Sequence, residues 1–151
     1  MNKKNLFGFT LIELLIVIII LGVLSALISG NFFTSLKKGR DARRKADLEQ
    51  IQRALEMYYE DKRAYPITIT FGSSLTDSVS GKTYMQKVPT DPVSSYSYQY
   101  QSDGTYYRLF SCIENNLDQG PGVNKNGYAG TNCGNCGLCK YGVSSSNSTL
   151  P

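Results

Sequence analysis

The sequence predicts an α+β fold in which one long N-terminal helix packs on a small antiparallel β-sheet. Residues 9–28 are almost entirely apolar, and about 20 such residues are enough to cross a bilayer as a helix. An amphipathic helical pattern then continues without proline up to Pro66. The rest of the chain is polar, rich in glycine, tyrosine and serine, and contains all four cysteines. These segments predict a helix whose second half is covered by a small sheet and a cysteine-rich C-terminal loop.

The N-terminus combines a short basic segment, residues 1–8, with the apolar run, in which Glu13 is the only charge. An ordinary secretory signal peptide needs small residues two positions apart at its cleavage site. The end of this run has no such pair, because Ser25, Ala26 and Ser29 stand two positions from Leu27, Ile28 and Leu27. An uncleaved membrane anchor is a second alternative. A lone carboxylate in hydrocarbon is costly and calls for a cationic partner. Cleavage between Gly8 and Phe9 would supply one, because the new α-amine is largely protonated near neutral pH.

Residues 8–15, with the sequence GFTLIELL, resemble the prepilin-type cleavage and methylation motif of type IV pilins and type II secretion pseudopilins. The resemblance implies a type IV pilin fold and a prepilin peptidase/methyltransferase that cuts after Gly8 and methylates Phe9. It also implies that Glu13 pairs with the N-terminus of a neighbouring subunit. The implied partners are identical or related pilin subunits, the pilus assembly platform and, before assembly, membrane lipid.

The predicted helix has two parts, a transmembrane or filament-core part over residues 9–30 and an amphipathic part over residues 31–64. Pro66 ends it, since the residue before a proline is disfavoured in the α region. Gly22 and Gly30 weaken its interior, by about 1 kcal/mol each relative to alanine. Four residues recur at helical spacing and should face the core: Leu48, Ile51, Leu55 and Tyr58.

The helix carries a basic cluster: Lys37, Lys38, Arg40, Arg43, Arg44 and Lys45. We interpret it as a solvated helix face that flanks the membrane and contacts lipid headgroups or acidic residues of neighbouring subunits. Nucleic acid binding is the weaker interpretation, because no aromatic or structural recognition module accompanies the cluster. The chain has no histidine, which removes the commonest general base and the commonest metal ligand.

Residues 65–143 are predicted to form a globular β head, and residues 144–151 a flexible, serine-rich tail. Alternating tyrosines followed by the turn residues Asp103 and Gly104 predict a hairpin over residues 94–112. The alternating tyrosines are Tyr96, Tyr98 and Tyr100. We interpret this row as sheet packing, with its hydroxyls at the rim.

The cysteines form the main chemical constellation of the head: Cys112, Cys133, Cys136 and Cys139. An even number of cysteines in a small exported domain favours two disulfides. An iron–sulfur cluster or a four-thiolate zinc site is the alternative. Of the three connectivities, only Cys112–Cys136 with Cys133–Cys139 avoids closing a tight C-x-x-C ring, so the spacing favours that one.

The loop after Cys112 is rich in side-chain oxygens, with Glu114 and Asp118 as its carboxylates. Major pseudopilins often bind calcium in their C-terminal loop, so the resemblance implies a calcium site at these two residues. The spacing matches no EF-hand loop, and an ordinary polar turn is the preferred interpretation. We expect no cofactor.

The predicted function is mechanical: a structural subunit of a type IV pilus-like filament, and not an enzyme. The chain is expected in the cytoplasmic membrane as a single-pass protein with its C-terminal domain outside, and then in an extracellular or periplasmic filament. One alternative is a major pseudopilin of a type II secretion system, because residues 89–92 (PTDP) resemble the Pro-x-Asp-Pro element of that group. Another is a membrane-anchored cysteine-rich redox or metal-binding domain.

Overall fold

The computed structural model describes residues 8–151, apart from the side chains of residues 28–31. It has one helix and five strands: α1 Leu11–Lys62, β1 Leu75–Thr76, β2 Thr83–Met85, β3 Gln99–Ser102, β4 Tyr107–Ser111 and β5 Tyr141–Ser144. The chain divides into two compact units, Met1–Leu36 and Lys37–Pro151. The predicted α+β fold is confirmed. Most of the predicted leader, and the expected weak point at Gly30, lie outside the described residues.

In the first unit, α1 begins at Leu11, immediately after a capping residue. The Oγ1 atom of Thr10 accepts a hydrogen bond of 3.3 Å from the backbone N–H of Glu13, which satisfies one of the unpaired donors at the helix start. The large apolar side chains from Phe9 to Leu27 are all exposed, each by at least 46%. The first unit therefore has an uncovered apolar surface on every side of the helix.

Among the described residues, no single helix is long and apolar enough to cross a membrane. By length and composition, Leu11–Leu27 and Phe32–Lys62 qualify only together, as a bent pair.

In the second unit, α1 buries the predicted apolar stripe. Leu48, Ile51 and Leu55 are fully buried, and Tyr58 is partly buried against the same core. The helix ends at Lys62, two residues before the predicted boundary. Arg63 adopts a left-handed backbone conformation, with φ of 55°, and its N–H bonds the carbonyl of Tyr59. The chain thus leaves the helix through a left-handed capping residue.

A three-stranded antiparallel sheet, in the order β3-β4-β5, covers the helix, and β1 pairs with β2 in a separate two-stranded sheet. The predicted hairpin is present as β3 and β4, with Tyr100 opposite Leu109. Its strands are shorter than predicted, and Gly104 in the turn has φ of 91°, a conformation that favours glycine. Neither β5 nor the β1–β2 pair was predicted.

The tyrosine row lies partly in the core. Tyr98 is buried, and its hydroxyl donates a hydrogen bond of 2.8 Å to Asp47 on the helix. Tyr100 donates to the backbone carbonyl of Pro66. The ring of Tyr96 lies 5.4 Å from the guanidinium carbon of Arg44. These contacts agree with packing as the role of the row.

The first two residues of the predicted flexible tail, residues 144–151, belong to the head. Ser144 belongs to β5, and Ser145 is buried, with its N–H bonded to the carbonyl of Tyr107 at 3.1 Å. Leu150 packs on a second small core that contains Phe110 and the buried cysteines. Serine content suggested solvation, but here serine hydroxyls and amides pair with β4 and with each other.

Candidate functional sites on the helix and the head

The residues of the predicted processing site lie at the start of the described chain. Gly8, Phe9 and Glu13 are all exposed, with Phe9 exposed by 78%. Glu13 lies in the first turn of α1, where its negative charge interacts favourably with the positive end of the helix dipole. The structure thus places the three predicted residues at the exposed start of the helix, and their roles in processing and assembly stay predictions.

A buried ion-pair cluster lies where the sequence predicts a solvated basic face. The Arg44 side chain is fully buried. Its Nε and Nη2 atoms donate to the two oxygens of Asp91, at 2.7 and 2.9 Å. Its Nη1 atom donates to Asp41 and to Glu114, at 2.8 Å each. For Arg44 the predicted solvated face is therefore wrong, because three carboxylates surround its charge inside the protein.

Two neighbouring basic residues also pair with the loop after β4. The Nε atom of Arg40 donates to Glu114 at 2.8 Å, and the Nζ atom of Lys45 donates to Asp118 at 2.6 Å. Only three members of the basic cluster have the exposed side chains that the sequence predicts: Lys37, Lys38 and Arg43. Three of the six basic residues thus join the helix to carboxylates elsewhere in the head: Arg40, Arg44 and Lys45.

Asp41 joins the helix to the backbone of the same loop. Its carboxylate accepts hydrogen bonds from the N–H groups of Glu114 and Asn115, at 3.0 and 2.8 Å. The Asp41 side chain is 3% exposed. A buried carboxylate that accepts two backbone bonds and one from a guanidinium is well satisfied. The loop is therefore fixed to the helix through its backbone as well as through its side chains.

The ion pairs change the acidity of the loop carboxylates. Hydrogen bonds from Arg40, and then from Arg44, lower the pKa of Glu114 from 4.5 to about 2, against the effect of burial. The hydrogen bond from Lys45 lowers the pKa of Asp118 below its ordinary value. Burial alone would lower the pKa of Arg44, but its hydrogen bonds to three carboxylates raise it instead. The lowered pKa values keep Glu114 and Asp118 ionised at neutral pH, and the raised pKa keeps Arg44 protonated.

The loop residues do not fit the calcium site that the resemblance implies. Calcium takes six to eight oxygen ligands, several of them from carboxylates. Both oxygens of Glu114 accept hydrogen bonds from Arg40 or Arg44. The Oδ2 atom of Asp118 bonds Lys45, and its Oδ1 atom accepts the N–H of Gly120 at 3.0 Å. Within the described part of the chain, no cluster of three or more His, Cys, Asp or Glu residues is arranged for a metal.

The four cysteines form two disulfides, Cys112–Cys136 and Cys133–Cys139, with Cα–Cα distances of 6.1 and 5.2 Å. This is the connectivity that the spacing favours. Because all four sulfurs are in disulfides, they are not available as thiolate ligands for an iron–sulfur or zinc site. The Cys112–Cys136 bridge instead ties the C-terminal loop to the end of β4, and Cys133–Cys139 closes a ring within that loop.

Sequence reasoning missed Arg44, although the helical pattern contained a signal for it. Arg44 precedes Leu48, Ile51 and Leu55 by 4, 7 and 11 positions, which places it on the buried face. A charge on that face needs a partner, and Asp41 stands one turn earlier. The contributions of Asp91 and Glu114 are long-range and follow only from the folded structure.

Comparison with known proteins places both parts of the chain. Residues 3–29 match the family model described as the prokaryotic N-terminal methylation motif, and residues 31–126 match that of the type II secretion system (T2SS) protein G. The type II secretion system core protein G of Pseudomonas aeruginosa is 33% identical over 114 residues, covering 70% of this chain and 80% of that protein. The Vibrio cholerae protein of the same name is 30% identical over 112 residues, covering 69% and 75%. No solved structure matches. The chain belongs to the type II secretion system protein G family.

Proposed function

We propose that the chain is the major pseudopilin of a type II secretion system: a structural subunit that is inserted in the membrane as a prepilin and assembles into a periplasmic filament. The observation that carries the proposal is the protein G match over residues 31–126, joined to the methylation motif over residues 3–29. The sequence alone predicts a subunit of a type IV pilus-like filament. The relatives favour the pseudopilin, because their names refer to type II secretion.

The exposed apolar helix supports assembly through the N-terminus. Each large apolar side chain that is removed from water contributes about 1.5–3 kcal/mol. The side chains from Phe9 to Leu27 are exposed, so the first unit needs lipid, or the helices of other subunits, around it. Lipid would surround the apolar helix before assembly, and the helices of other subunits would surround it in the filament.

Glu13 supplies a register for that bundle. A peptidase/methyltransferase cuts after Gly8, and the resulting N-methylated amine of Phe9 pairs with Glu13 of a neighbouring subunit. Each of these two charges has its partner on another subunit. Any alignment of the helices that leaves them unpaired in an apolar environment is therefore disfavoured. The chain is therefore a substrate of the processing enzyme and the subunit that the assembly platform polymerises, and not a catalyst.

The disulfides support a head outside the cytoplasm. Disulfides persist in the periplasm and on the cell surface and are rare in the cytosol. With the second unit outside, the helix crosses the membrane once and residues 1–8 face the processing enzyme on the cytoplasmic side.

The proposal is tested by deleting the gene in the source organism and restoring it on a plasmid. We expect the deletion to abolish secretion of folded exoproteins while surface pili are unchanged, and wild-type protein to restore secretion. Loss of surface filaments with normal secretion would overturn the pseudopilin assignment in favour of a pilus. A Gly8→Val variant is the matched control, because it keeps the chain but blocks processing.

Intact mass under non-reducing conditions tests the processing steps directly. Protein purified from membranes should have the mass of residues 9–151 plus one methyl group and minus four hydrogens. A full-length mass would contradict cleavage after Gly8, and free thiols would contradict export of the head.

A further inference from the structure

Three residues of the loop 113–118 form polar contacts with α1: Glu114, Asn115 and Asp118. Asp41 accepts two of its backbone N–H groups, Arg40 and Arg44 bind Glu114, and Lys45 binds Asp118. The basic partners all come from residues 40–45, a little more than one turn of the helix. One side of this turn therefore fixes the loop at both of its carboxylates.

The charges in this region nearly balance without a metal ion. Three cationic side chains face four carboxylates: Arg40, Arg44 and Lys45 against Asp41, Asp91, Glu114 and Asp118. A divalent cation placed among them would meet the like charge of Lys45 and of the two guanidiniums at contact distance. It would also have to displace the hydrogen bonds that now occupy both oxygens of Glu114 and of Asp118.

We propose that the side-chain cations of Arg40, Arg44 and Lys45 do in this chain what a bound calcium ion would do in the loop, so that the head folds independently of calcium. The ammonium of Lys45 and the guanidiniums cross-link the loop carboxylates to the helix, and Asp41 fixes the loop backbone. The proposal concerns the fold of the head and holds whether the filament is a pseudopilus or a pilus.

The first test is thermal unfolding of the processed chain, residues 9–151, in detergent micelles with the disulfides intact, followed by tyrosine fluorescence. The midpoint should be the same in excess EGTA and in excess calcium chloride. A resident calcium ion at saturating concentration would raise the midpoint by roughly 10 °C for a domain of this size. A rise of that order in calcium would overturn the proposal.

The second test asks whether the side-chain cations fix the loop of residues 113–118 to the helix. Lys45→Met keeps most of the apolar length of the side chain but removes its charge. The side chain is 27% exposed, so we expect the variant to fold. We expect faster backbone hydrogen exchange in the peptide that covers Glu114 and Asn115, to the same extent with EGTA and with calcium. Unchanged exchange in Lys45→Met, or recovery of wild-type protection in that variant when calcium is added, would contradict the proposal.

Lys82→Met is the matched control for that variant. Lys82 forms an ion pair with Asp61 that is exposed and lies away from the loop. It should leave hydrogen exchange at residues 113–118 as in the wild type. Faster loop exchange in the control as well would show that the effect is a general loss of charge, and would also contradict the proposal.

Discussion

The guanidinium of Arg44 and the carboxylate of Asp91 form two hydrogen bonds, of 2.7 and 2.9 Å, and neither side chain is exposed to solvent. The pair joins the helix to the loop that precedes β3, and Arg44 bonds Glu114 in the loop that follows β4. Bidentate pairs of this kind fix geometry as well as charge. Arg44 is therefore the point at which three separate segments of the head meet.

We predict that Arg44→Met lowers the free energy of unfolding by about 3–5 kcal/mol, because it leaves buried carboxylates without their cation. The quantity is measured by urea unfolding of the processed chain in detergent, with disulfides intact. Lys82→Met removes an exposed ion pair and should cost at most about 1 kcal/mol. A loss below 1 kcal/mol for Arg44→Met would contradict the structural role of the cluster.

Glu114 should make the head sensitive to acid. Its pKa is lowered to about 2 in the folded protein from 4.5, so its contribution to stability is complete above about pH 4.5 and is lost as the pH falls toward about 2. The contribution is at most about 3 kcal/mol, from the size of that shift. Glu114→Gln should be less stable at neutral pH and should lose less stability in acid. Parallel pH profiles for the two proteins would contradict this assignment.

The two disulfides should contribute unequally. The loop closed by Cys112–Cys136 spans 24 positions and that closed by Cys133–Cys139 spans 6. In the chain-entropy account these loops correspond to about 3.5 and about 2.2 kcal/mol. Paired cysteine-to-serine variants of each bridge, compared by urea unfolding, should therefore show the larger loss for the longer loop. An equal or reversed order would indicate that native packing around the bridges outweighs loop entropy.

Glu13→Ala should separate processing from assembly. We expect the variant to be cleaved after Gly8 and methylated, since the peptide bond stays exposed, but to fail to polymerise because the neighbouring amine loses its partner. Intact mass reports processing, and the yield of sheared or overproduced filaments reports assembly. Glu60→Ala, a change at an exposed site on the same helix, is the control and should assemble normally. A normal filament yield from Glu13→Ala would contradict the proposed pairing of Glu13 with the neighbouring amine.

Local signals predicted much of the fold. The apolar stripe from Leu48 to Leu55 indicated the buried face of α1, and the Asp103-Gly104 dipeptide indicated the hairpin turn. The helix end was placed within two residues, because Pro66 restricts the backbone before it. These features depend on neighbours in sequence, and a periodic or turn-forming pattern is enough to reveal them.

The rest depends on partners that are distant in sequence. Strand β5 is four residues long with a glycine in it, and it is a strand because it pairs with β4. The basic cluster is predicted to be solvated because a run of like charge usually forms a solvated helix face. The hydrogen-bond partners of Arg40 and Lys45 are more than 70 positions away. Charge compensation across such distances leaves no local pattern.

The position of the Cys112–Cys136 disulfide has a consequence for the order in which the head forms. Cys112 directly follows β4, and Cys136 stands shortly before β5. Once the bridge closes, the covalent path between these adjacent strands bypasses the 24 positions between the two cysteines and becomes nearly as short as that of a hairpin. Pairing of β5 with β4 then changes from a long-range to a local event, which lowers its loop-closure entropy. Formation of this one disulfide should therefore favour the pairing of β5 with β4.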